Sequence, residues 1–238
     1  MSKTLTRILA MLQGILLLTA AALFTVNLCC FQRSFYEKEY AKLDTAAEMG
    51  MEHEDLMEAT DALLDYLKGY RINLDLRTTV HGKTVEMFDA REKAHMFDVR
   101  ALYHRAMAVG WLSLGLALML NSLLYFKGDR KTALRGMLWG FGIFGVLLAA
   151  AAVWAAIDFY SFWRCFHKLL FDNDLWELYP DERLIQMVPE QFFADLVTRI
   201  VAVFAAIAAV LTGGNLHLQR RHKKKSLPLG GEGGTAKP

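Results

Sequence analysis

The chain has 238 residues, of which 54% are hydrophobic and 22% charged, with a formal net charge of +2. A mean hydropathy of +0.22 argues against an ordinary water-soluble domain of this size. The net charge by itself says little, and no nucleic-acid partner is expected. Three cysteines are too few for a disulfide framework.

Four mostly apolar runs, each about twenty residues long, match the hydrocarbon thickness of a bilayer. They cover residues 8–28, 106–126, 136–157 and 196–218. Lys3 and Arg7 precede the first run. That run is longer than the h-region of a cleaved signal, so it reads as an uncleaved anchor. Cys29 and Cys30 follow Val26-Asn27-Leu28. A lipoprotein signal needs small residues at those positions, so these cysteines are not read as a lipidation site.

Residues 29–105 are long enough to form a folded cap. From Ser34 to Tyr70 the chain reads as helix, with Leu56, Met57, Ala59, Leu63, Leu64 and Leu67 at helical spacing and Gly69 as the stop. INLDLRTTV and KTVEMF then alternate about His81-Gly82, the pattern of a short β-hairpin. Asp89 with Glu92 three residues later forms a capping-box signature. No proline or glycine interrupts from Ala90 to Val109, so this helix is expected to run straight into the second span.

Residues 127–135 form a short basic loop carrying Lys127, Arg130, Lys131 and Arg135. After the third span, in residues 158–195, Phe159, Phe162, Trp163 and Phe166 fall on one face of a helix read as extending that span. FDNDLW breaks it, and Pro180 and Pro189 mark turns. Arg199, near the start of the fourth span, is expected to snorkel to the interface. Residues 219–238 read as a basic, disordered tail. The lysines and arginines concentrate at both termini and in the short loop, whereas the two other connections carry more acid than base. The positive-inside rule therefore predicts cytoplasmic termini and an extracellular cap.

The stretch FDAREKAHMFDVR raises a question of chemistry, because a histidine sits among acids just before a span. His95 lies about eleven residues before the second span, roughly 16 Å along a helix. His167 lies about ten residues after the third span, at a similar height. A short loop joins these spans, so they are expected to be antiparallel neighbours. The two imidazoles then converge. Glu92 and Asp98 share a helix face with His95 and are expected to orient its ring. His53, His81, His104, His217 and His222 read as ordinary surface residues. Cys165 reads as a packing residue.

The residues Glu92, His95, Met96, Asp98 and Val99 form an E-x-x-H-M-x-D-V core. Phe166-His167, Phe171, Asn173-Asp174-Leu175-Trp176 and Met187-x-Pro189-Glu190-x-Phe192-Phe193 follow later. As a pair these motifs resemble those of the bacterial lipoprotein intramolecular transacylase (Lit) family of integral membrane proteins. The resemblance covers nearly the whole chain except the tail. It implies four transmembrane helices under a small extracytoplasmic cap of helices plus a short hairpin, an all-α dominated integral protein of the bacterial cell membrane. It also implies His95 and His167 as the catalytic pair, no cofactor and no metal.

The implied substrate is a diacylglyceryl lipoprotein held in membrane lipid. Its sn-2 acyl chain would move to the α-amino group of its own N-terminal cysteine, giving the lyso form. Glu92, Asp98, Asn173 and Asp174 would support the pair, and Phe159, Phe162, Trp163, Phe166, Phe171 and Trp176 would line a dry site for lipid. Three rival readings stay open at this level: a bis-histidine haem protein, a zinc hydrolase using both histidines, and a non-enzymatic membrane sensor.

Overall fold

The computed structural model describes residues 1–225, with side chains through Arg221. Nine helices and a two-stranded sheet make up the described chain. The helices α1 (Lys3–Cys30), α5 (Ala90–Lys127), α6 (Arg130–Ile157) and α9 (Glu190–Lys225) contain the four apolar runs and are long and apolar enough to cross a membrane. The predicted tail is corrected in its first part, because α9 continues through the basic residues to Lys225. The expectation for 226–238 lies outside the described residues.

The chain divides into two compact units. The first comprises Met1–Thr19, Ser113–Leu147 and Ala205–Pro238. Here α1 and α6 pack backbone against backbone. A Cβ added at Gly140 would fall 2.2 Å from the Met11 carbonyl oxygen, and one at Gly136 would fall 2.7 Å from that of Arg7. Lipid offers no hydrophobic drive between helices, so close approach at small residues supplies the attraction. Polar bonds reinforce it. Gln13 Nε2 donates to Asn121 Oδ1 (3.1 Å), and Gln219 Nε2 donates to the Leu134 carbonyl (3.2 Å). Asp129 is the only acid among the described residues of this unit.

The second unit comprises Ala20–Leu112 and Leu148–Phe204. The single helix expected after Ser34 is three: α2 (Arg33–Leu43), α3 (Thr45–Glu48) and α4 (His53–Lys68). Asp44 (φ 52°) and Gly50 (φ 62°) take left-handed conformations that no α-helix admits. The periodic face read in α4 is buried as expected, and Gly69 (φ 89°) caps it. Strands β1 (Arg77–Val80) and β2 (Lys83–Glu86) pair antiparallel, with Arg77 opposite Glu86 and Val80 opposite Lys83. The turn is His81-Gly82, with positive φ at both residues, the geometry that matches strand twist.

The core of this unit gathers α2, α4 and the start of α9. Phe192 is fully buried against Phe35, Tyr36 and Tyr40, with ring centroids 5.2–5.6 Å apart. Buried Tyr40 and Thr60 share a hydroxyl–hydroxyl bond of 2.9 Å. Arg199 has partners within this unit. Its guanidinium donates to Gln32 Oε1 and lies 5.0 Å from the centre of the Phe35 ring. All three cysteines are free, and Cys165 is exposed rather than packed.

Candidate active site

Helix α5 begins with the predicted capping box. The Glu92 amide donates to Asp89 Oδ1 (2.8 Å), and Glu92 Oε2 accepts from the Asp89 amide (2.7 Å). One turn later the same helix presents His95. The opposing element, α7 (Phe159–Leu170), is separate from α6 rather than an extension of it. Asp158 breaks the helix (φ −146°, ψ 83°) and its carboxylate accepts from the Ser161 amide, restarting the chain as a new helix. A fresh direction at Asp158 sets which face of α7 carries His167.

The His95 and His167 ring centroids lie 6.4 Å apart. Both residues are nearly buried, 8% and 5% exposed. His167 Nδ1 is 2.9 Å from the Trp163 carbonyl oxygen. A carbonyl only accepts, so Nδ1 bears the proton and Nε2 keeps its lone pair. Burial lowers the pKa of His167, against the opposing effect of that bond. His95 is pushed down to about 4, first by burial and then by neighbouring His167, with Asp98 pulling the other way. Both imidazoles are therefore neutral near pH 7.

Four of the predicted aromatics touch this pair. Trp176 stacks on His167 at 4.8 Å, Trp163 lies at 4.3 Å, Phe166 at 5.3 Å and Phe171 at 5.7 Å. Phe171 also meets His95 edge-on at 5.6 Å. Phe159 and Phe162 extend the row by stacking on Trp163 and Phe166, without contacting either imidazole.

The four polar supports act differently from the expectation. Glu92 is 1% exposed and touches neither histidine. Its Oε1 accepts from the Leu184 amide at 2.6 Å, tying α5 to helix α8 (Arg183–Met187). Burial raises its pKa, opposed by the two backbone amides. Asp98 Oδ2 accepts from Asn173 Nδ2 (2.8 Å), which fastens α5 to the segment after α7. Asp98 acts on His95 through its charge rather than through a hydrogen bond. Asp174 contributes its backbone carbonyl, which accepts from Arg91 Nη2 (2.8 Å), as does that of Glu177 (3.0 Å). Sequence reasoning missed Arg91, because a backbone-binding arginine leaves no spacing signal.

Among the described residues no group of three or more His, Cys, Asp or Glu has metal-binding geometry. His53, His81, His104 and His217 are exposed, and the expectation for His222 lies outside the described side chains. A cavity of about 550 Å³ lies in the first unit among Gln13, Asn121, Tyr125 and Arg130. It contains no histidine or nucleophile, so the chemistry points to the histidine pair instead.

A family model described as lipoprotein intramolecular transacylase Lit matches residues 11–193. Among solved structures, the in meso structure of the membrane integral lipoprotein intramolecular transacylase Lit from Bacillus cereus is 20% identical. It superposes with a TM-score of 0.75, covering 94% of this chain and 100% of that one. A histidine-to-alanine variant of the same protein gives a TM-score of 0.73 at 20% identity, covering 94% and 97%. A comparison with curated protein sequences finds no match.

Proposed function

The chain belongs to the lipoprotein intramolecular transacylase Lit family, and from that membership we propose that it moves the sn-2 acyl chain of a diacylglyceryl-modified N-terminal cysteine onto that cysteine's own α-amino group. The observation that carries the reading is the pair of buried, neutral imidazoles 6.4 Å apart within an aromatic enclosure. The substrate's α-amino group titrates near pH 8, within reach of a histidine base. The neutral amine nitrogen forms its bond to the ester carbonyl carbon, and His167 Nε2, its lone pair fixed by the bond at Nδ1, takes the proton that the nitrogen sheds. The tetrahedral intermediate collapses as the sn-2 C–O bond breaks, and the departing alkoxide receives a proton from the imidazole pair. An amide and a free hydroxyl result.

No serine or cysteine nucleophile is required. Both reacting groups belong to one molecule, so the protein's main task is to fold the substrate on itself and exclude water. The stacked aromatics suit the second task, since water admitted here would hydrolyse the ester.

The test is tandem mass spectrometry on a diacylglyceryl lipopeptide incubated with and without the protein. Intramolecular transfer leaves the total mass unchanged and moves one acyl chain to the N-terminal nitrogen. Loss of an acyl mass would mean hydrolysis and would overturn the reading.

The pH profile tests the pKa directions. Burial disfavours the imidazolium, so both rings stay neutral below the ordinary histidine value of about 6.5. The unfolded chain takes up protons there that the fold does not, so stability declines as pH falls from about 6.5 towards 4. The kcat/KM profile should show one limb from the substrate amine near pH 8 and no second break near 6.5. The His95 break should appear only near 4. A second break near 6.5 would contradict the buried, neutral pair.

We propose further that the protein lies in the bacterial cell membrane with both termini cytoplasmic and the cap extracellular. Supporting this, Lys3, Arg7, the 127–135 loop and Arg220-Arg221 all fall in the unit whose only described acid is Asp129. Reporters fused after residue 238 and within residues 45–85 should report cytoplasmic and outer locations respectively. An outer location for the C-terminal fusion would reverse the assignment.

A further inference from the structure

Two cavities of the second unit share a wall. One, of about 260 Å³, is lined by Phe159, Trp163, Val188 and Phe193. Trp163 also packs on His167, so one ring links this cavity to the histidine pair. The other, of about 510 Å³, is lined by Thr45, Glu48, Gln186 and Gln191 together with apolar side chains such as Met49. Ile185 of α8 lines both. Together they form a groove, aromatic around Trp163 with Glu190 on its wall, and mixed towards α3, where Thr45, Glu48, Gln186 and Gln191 stand among apolar side chains.

The position of the groove is set by the catalytic helix. Its wall α8 buries Leu184 and Met187 in the core and turns Ile185 and Gln186 outward. The Leu184 amide is held by Glu92, one turn before His95. The groove and the imidazoles are therefore parts of one fastened assembly.

The cysteine of the proposed substrate carries acyl chains on the sulfur side and a polypeptide on the carbonyl side. Resting on the transacylase reading above, we propose that the cavity between α3 and α8 binds the polypeptide that follows the lipidated cysteine of the substrate lipoprotein. A peptide backbone offers donors and acceptors in alternation. Gln186 and Gln191 supply both, Glu48 accepts, and a threonine hydroxyl does either. Thr45 is 2% exposed, and its hydroxyl has no hydrogen-bond partner among the described residues. A buried hydroxyl left unpaired is unfavourable, and a chain lying along the cavity would satisfy it. A cavity of this volume is of the size that holds a ligand segment.

Binding here would serve chemistry at the other end. Contacts remote from the reacting atoms help hold the α-amino group and the ester together, which lowers the barrier by orientation.

The test compares two substrates in the same detergent: a diacylglyceryl cysteine amide without a peptide, and the same lipid-modified cysteine followed by a polypeptide. The wild-type protein should prefer the peptide-bearing substrate by about tenfold in kcat/KM, mostly through KM. Gln186→Trp fills the cavity from an exposed position, and Glu48→Lys reverses its one carboxylate. Each should collapse that preference towards unity. A preference that survives both variants overturns the proposal, as does a wild-type protein that treats the two substrates alike. If the wild-type protein transfers no acyl chain on either substrate, the reaction reading itself fails, and the occupant of the groove fails with it.

Discussion

His95→Ala and His167→Ala should each lower the rate of acyl transfer by about a thousandfold while leaving a folded, membrane-inserted protein. General acid–base catalysis by one positioned imidazole is worth roughly a hundred- to ten-thousandfold, and in the proposed reaction the two rings serve one proton sequence. The double variant should therefore be about as inactive as either single one. Removing a ring from the stack among Phe171, Trp163 and Trp176 leaves a gap, so a stability loss of about 1–2 kcal/mol is expected. Size-exclusion profiles and thermal midpoints in detergent separate that loss from the chemical effect. If a folded single variant transfers acyl chains near the wild-type rate, the pair does not act as described, and the aromatics become a lipid-binding surface without chemistry.

Glu92→Ala should be the most destabilising single substitution among the polar residues discussed. The carboxylate is buried and accepts from two backbone amides, those of Asp89 and Leu184. Deleting it leaves two buried donors without partners, at about 3–5 kcal/mol. For a chain of this size that lowers the thermal midpoint by about 10 °C. Glu92→Gln keeps one acceptor oxygen and should lie between the two. Because Glu92 touches neither imidazole, the folded fraction of Glu92→Gln should retain turnover within severalfold of wild type. A well-folded Glu92→Gln protein as inactive as a histidine variant would mean that the carboxylate takes part in proton transfer after all.

The contrast between these two predictions reflects how much of the site was legible in the chain. The convergence of the two histidines is legible from similar distances to two spans joined by a short loop, together with the aromatic face beside His167. The capping box at Asp89 and Glu92 was also legible, because it is a local pattern with a local partner. The second bond of Glu92, to the Leu184 amide, was not. It joins residues 92 apart in sequence, and a main-chain donor carries no signature in residue type. The same blindness explains Arg91, which holds two backbone carbonyls. It also explains why Asp98 seemed a partner for the histidine on its own helix when its hydrogen bond is to Asn173.

By itself the sequence determined the four apolar helices, the hairpin and its His81-Gly82 turn, the α5 start and the pairing of His95 with His167. Each depends on hydrophobic run length, local periodicity or a turn rule, all of which act over a few neighbouring residues. Tertiary structure decided where helices stop despite good periodicity. Asp44, Gly50 and Asp158 interrupt runs that composition alone would continue, so that Tyr40 and Phe192 can pack and α7 can restart in its own direction. It also decided which aromatics meet the histidines, which carboxylate is a fastener, and that Ile185 of α8 lines two neighbouring cavities. These outcomes depend on groups far apart in the chain competing for the same buried space and the same backbone donors, and no local pattern records that competition.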